Sequence, residues 1–224
     1  MADKEGAADL VWQTAKRYDS PKAGLLADWH SITKDLEYAL EAGTRALSIT
    51  PDDSDEKASG IETPVELKAL WNSAVISYAR CFSGGVRQAR LDGAFAAMGS
   101  RESEFRAAHD YIMNLRSKYI AHSVNRFEDT QIIVVVDEQK DTGQKVLGAG
   151  PIRVTPAYEK KTNVQSFINV TKCMLQEAGK QFNYLAHEVL EEAKGLSDAE
   201  LLELSEMGIQ LPMLPDEVNR GRSR

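Results

Sequence analysis

The chain has 224 residues, 42% of them hydrophobic and 27% charged, with a formal net charge of −7. That balance suits a globular chain with a real core, and the acidity argues against nucleic-acid binding over the whole surface. No window approaches the roughly 20 apolar residues of a membrane-spanning helix. The opening "MADKEGAADLVWQ" has no apolar run of the kind a secretory signal needs, so the chain reads as cytoplasmic and without a membrane partner. Cys81 and Cys173 lie inside apolar helical patterns, as buried free thiols of a reducing compartment do.

In chain order, an amphipathic helix is expected from about Gly24 to Leu47, where Leu25, Trp29, Ile32, Leu36, Leu40 and Leu47 recur at helical spacing. "TPDDSDEKASG" (50–60) is polar and rich in turn formers, and reads as a loop. "TPVE" (63–66) predicts a helix start, with Thr63 as cap, Pro64 at the first helical position and Glu66 closing a capping box. Leu67, Leu70, Trp71, Ala74, Val75, Tyr78 and Phe82 then form one stripe, and "SGG" (83–85) predicts a left-handed glycine end. The next helix is expected from about Ser100 to His122.

Beyond it the period changes. "QIIVVVDE" (131–138) is a β-branched run, "KDTG" (140–143) a turn, and "QKVLGAGPIRVTP" one or two strand pieces. "TNVQ" (162–165) predicts a second capping box, opening a helix with Phe167, Val170, Met174, Ala178, Phe182, Leu185 and Val189 on one side. "SDAE" (197–200) opens a last short helix, and "LPDEVNRGRSR" reads as a frayed tail. The expected fold is mainly α: a single domain over 1–224, a bundle of about four to six helices with a small antiparallel β-hairpin or β-sheet insertion. Its helical core spans about 22–126 and 160–195, the insertion about 130–157, and the short helix and tail 197–224.

Charge is unevenly placed. Residues 71–126 hold eight basic and four acidic side chains, net +4, which leaves −11 for the rest. Two readings stay open, a positive field that holds a phosphate-bearing ligand and a solvated basic face.

At 100° per residue, Phe105, Ala108, Ile112, Leu115 and Tyr119 share one face of the helix from Ser100 to His122. Arg116 projects roughly 70° to one side of that seam and His122 roughly 50° to the other, with His109 on the Arg116 side and Ser117 pointing away. An imidazole titrates near neutrality and can carry a proton both ways. A guanidinium stays charged and grips phosphate through a planar fork of donors. Together they suit attack of a ribose 2′-hydroxyl on its own 3′-phosphate, a reaction that needs no metal or cofactor. The four histidines form no metal-ligand cluster at sequence spacing, and there is no phosphate loop, dinucleotide fingerprint or nucleophile elbow.

The arrangement "LRSKYIAHS", an arginine and a histidine with five residues between them near the end of a long helix, resembles the signature of the HEPN superfamily (higher eukaryotes and prokaryotes nucleotide-binding). It is close to the "LRnK-x-x-AH" form of bacterial members, and "LWNSAVISYARCFSGG" is similar to the companion helix of that group. The similarity covers about 64–126. It implies a helical-bundle homodimer in which two motif copies form one metal-independent endoribonuclease site. Many members are toxins or phage-defence proteins, partnered by an antitoxin or another defence component; others bind RNA, nucleotide or protein without cleaving.

Carried onto this chain, the resemblance gives Arg116 as the phosphate-stabilising arginine and His122 as the proton-transfer histidine. The position after the arginine, commonly Asn, Asp or His in the family, is Ser117. Lys118 and Ala121 also match, and Ser117, Lys118, Arg80, Asn114 and His109 are candidate substrate contacts. Each has a plainer reading: a salt bridge to a neighbouring helix for Arg116, a helix-end cation for Arg80, a partly buried polar residue for His109, and a helix-dipole contact for His122. His30 and His187 read as structural. Three function classes result: endoribonuclease, non-catalytic binding module, and helical scaffold.

Overall fold

Small residues decide how closely the first helix can be approached. Helix α1 (Pro21–Ile49) buries Ile32, Leu36, Ala39, Ala42 and Ala46 along one stripe, with Gly43 beside them. A Cβ on Gly43 would lie 2.7 Å from Phe167 Cε1, so only glycine admits that ring. The computed structural model describes residues 15–53, 64–83, 85–120, 130–139, 143–153 and 159–206.

After α1 come α2 (Val65–Arg80), a 3-10 segment (Asp92–Arg101), α3 (Glu102–Leu115), a π-helical turn (Arg116–Ile120), strands β1 (Thr130–Gln139) and β2 (Gly143–Arg153), α4 (Lys161–Lys194) and α5 (Asp198–Glu203). The protein is mainly helical with one two-stranded antiparallel sheet. Among the described residues no helix is long and apolar enough to cross a membrane.

Contacts divide the chain into two compact units. One contains 32–83 and 91–177. Its core is built on Phe167, whose ring lies 5.2 Å from Trp71 and 5.6 Å from Tyr78, with Ile32, Leu36, Val75, Val164, Val170 and Met174 buried in the same unit. The other unit comprises the described parts of 1–31, 84–90 and 178–224. Polar contacts hold much of it: Tyr18 donates to Glu192 at 2.7 Å, Lys22 meets Glu188 at 2.9 Å, and the buried Asp28 carboxylate accepts from the Gln88 amide at 2.7 Å. His30 stacks obliquely on Phe182 in this unit.

The hairpin matches the expected insertion. Thr130 pairs with Arg153 and Gln139 with Gly143, and a bulge between Val135 and Val136 leaves Leu147 without a partner in the register. Because successive strand residues point to opposite faces, Ile132 to Val136 present β-branched side chains on both, and all five are exposed.

Two helix starts differ from expectation. Thr63 lies outside the described residues, and α2 starts after Pro64, whose extended ψ of 135° makes it the cap; Glu66 is then the second helical residue, so no box closes. At the other end the chain stays right-handed at Cys81, whose N–H bonds the Tyr78 and Ala79 carbonyls; Gly84, in the expected glycine end, lies outside the described residues. The left-handed glycine among the described residues is Gly99 (φ 55°), which kinks the 3-10 segment two residues before its end. Thr162 sits inside α4 instead of capping it, because a distant carboxylate does the capping: Asp53 accepts from Lys161 N at 2.6 Å and Thr162 N at 3.2 Å. The expected short helix does start at "SDAE", where Ser197 forms a capping box with Glu200 bonded back to it.

Candidate functional site

Helix α3 anchors the motif by burying Phe105 and Ile112. The α-helix stops at Leu115, short of the expected His122. Arg116 keeps right-handed dihedrals (φ −55°, ψ −49°), and its N–H bonds the Ile112 and Met113 carbonyls. The next residue supplies a local cause for the change of winding. Ser117 Oγ donates to Met113 O at 2.7 Å and Asn114 O at 3.3 Å, competing for the carbonyls that continued α-winding would use. The chain enters a π turn, a device often found at functional positions. A π turn rotates less than 100° per residue, so the angular projection holds as far as Arg116 and shifts after it. His122 lies outside the described residues, as does the side chain of Tyr119.

Charge pairing redistributes the basic segment. Arg101 meets Glu104 at 3.0 Å and covers the Phe105 ring; Arg106 meets Glu102 at 2.8 Å and covers Phe95. Arg80, at the end of α2, lies 3.5 Å from Asp35. Two of these pairs lie within the basic segment and leave its net +4 unchanged, while Asp35, outside it, offsets one of those charges. Arg116 differs: it is exposed and makes no ion pair with any described carboxylate. Lys118 and Asn114 are also exposed, so the π turn presents its cations outward.

His109 is half-buried in an aromatic cage. Phe82, Phe95 and Tyr78 surround it with ring centroids at 4.4, 5.0 and 5.9 Å, and its Nδ1 lies 3.1 Å from the Tyr78 hydroxyl. Burial pushes the imidazole below its ordinary pKa despite the nearby Asp110 and Asp92, and burial raises the Tyr78 phenol well above its own. With the proton on Nε2, the phenol donates to Nδ1. His109 is thus a hinge pin between α2, α3 and the 3-10 segment, as its plainer reading has it. Arg80 and His109 engage different partners, and the π turn that carries Arg116 packs against α2.

A groove of about 330 Å³ between α3 and α4 escaped the sequence reading. Phe105, Ile112 and Phe167 are among its lining residues, with Tyr111 and Asn163 at the rim. Glu159 ties that rim together, accepting from Tyr111 Oη and Asn163 Nδ2, each at 2.6 Å. The local signal was absent because α3 and α4 are far apart in the chain.

Fold and site together define a mainly helical protein with an antiparallel hairpin and an outward-facing arginine in a π turn. No protein-family model, no curated protein and no solved structure matches the chain.

Proposed function

We propose that this protein is a metal-independent endoribonuclease of the HEPN type, acting as a homodimer on RNA. The observation that carries the reading is Arg116, exposed at the start of a π turn and without a described carboxylate partner, while Arg80, Arg101 and Arg106 are paired. A guanidinium so placed is available to a phosphate and to the charge that grows on it. His122 supplies the proton transfers, first from the attacking 2′-hydroxyl and then to the leaving 5′-oxygen. The new 2′-O–P bond leaves a 2′,3′-cyclic phosphate on one fragment and a 5′-hydroxyl on the other.

The test uses purified protein, unstructured RNA and EDTA. Cleavage should fall about 10²–10³-fold in Arg116→Ala, the scale of losing one transition-state donor, and at least comparably in His122→Ala. Equal cleavage in all three preparations indicates a contaminant and removes the enzyme reading. Ser117 favours a second reading, a non-catalytic RNA-binding module, because its hydroxyl proton is directed into its own helix. In that case RNA binds, Arg116→Ala weakens it, and no fragments form. An antitoxin or defence partner follows from the resemblance alone.

A further inference from the structure

We propose that the groove between α3 and α4 is a slot for a nucleobase of the bound RNA, placed next to the phosphate that Arg116 engages. This deepens the ribonuclease reading and rests on it. Three observations point there. The groove encloses about 330 Å³, at the lower end of the range for small-ligand sites. Its lining combines the buried Phe105, Ile112 and Phe167 with a half-exposed Tyr111 ring and the Asn163 amide, the apolar-plus-polar surface that a flat heterocycle needs. Ile112, in that lining, is also one helical turn from Arg116.

One helical turn separates Ile112 from Arg116, whose N–H bonds the Ile112 carbonyl; that is a rise of about 6 Å along the axis. Arg116 and, two residues on, Lys118 are both exposed. Glu104, held by Arg101, lines the groove at the end farther from Arg116, whereas Glu159 bonds Tyr111 and Asn163 beside Ile112. The exposed Arg116 guanidinium attracts a phosphate. A neutral, flat base that can stack on aromatic rings suits the groove itself. Stacking and edge contacts then fix which nucleotide precedes or follows the bond under attack.

The experiment measures binding by fluorescence anisotropy with a short RNA made uncleavable by 2′-deoxy substitution, and with the same backbone carrying abasic positions. Wild type should bind the base-bearing strand about tenfold more tightly. Filling the groove with Ala108→Phe should abolish that discrimination while leaving abasic-strand affinity unchanged. Tyr111→Ala, at a half-exposed position, should reduce it by removing a ring on which the base stacks. Arg116→Ala should weaken both strands alike. Equal wild-type affinity for the two strands overturns the slot while leaving the ribonuclease reading standing. So does discrimination that survives both groove variants, or an Ala108→Phe protein that loses thermal stability with its discrimination intact, the signature of a groove filled by the protein itself. If wild type binds neither strand at low salt, the RNA reading fails and the slot falls with it.

Discussion

At the scale of single residues, His109 carries a pH dependence whose sign follows from its cage. Its folded-state pKa is depressed by burial, so the folded protein resists a proton that the unfolded chain accepts near pH 6.5. Stability is therefore full above that value and declines as pH falls through it, until the folded imidazole also titrates. Protonation converts Nδ1 from acceptor to donor and leaves the fully buried Tyr78 hydroxyl proton without its acceptor. The groups facing the imidazole include Asp92, Arg106 and Asp110, of which only the carboxylates favour the cation. Urea midpoints between pH 8 and 5.5 should fall for wild type and stay flatter for His109→Phe; parallel curves would refute the role. Sequence placed His109 on the Arg116 side of the apolar seam but could not show the cage, since Tyr78, Phe82 and Phe95 come from two other segments.

At the scale of elements, helix ends separate into those made locally and those made at long range. Ser197 and Glu200 form their box within three residues, where sequence alone could identify it. Helix α4 is capped by Asp53, 108 residues before Lys161, and no local pattern reveals that. Partial desolvation pulls the Asp53 carboxyl upward, but the Thr162 hydroxyl and the Lys161 and Thr162 amides outweigh it and hold it below its ordinary value. Its contribution is thus present at neutral pH and lost as pH falls through the lowered pKa. In Asp53→Ala the Lys161 and Thr162 amides should exchange faster at pH 7, and thermal stability should drop. Unchanged exchange at both amides would show that the cap is idle in solution. The π turn belongs to this scale as well. Helical periodicity led to an unbroken helix through His122, whereas the Ser117 hydroxyl redirects carbonyls within a single turn.

For the molecule as a whole, burial ranks the consequences of substitution. Phe167 is 1% exposed between Trp71 and Tyr78, so Phe167→Ala should cost about 3–5 kcal/mol in urea unfolding. Val134, 54% exposed on the hairpin, should tolerate Val134→Thr within about 0.5 kcal/mol. A comparable loss from both would mean that the hairpin face is covered in solution.

By itself the sequence determined the helical segments, the hairpin and the Arg116–His122 spacing, because those depend on periods of two to about four residues and on local chemistry. Tertiary structure decided which arginines lose their charge to a carboxylate, which histidine is caged, where α4 finds its cap and that α3 and α4 enclose a groove. Those outcomes depend on groups brought together across the chain, most of them by the burial of Phe167 and its neighbours, and burial is a property of the folded whole.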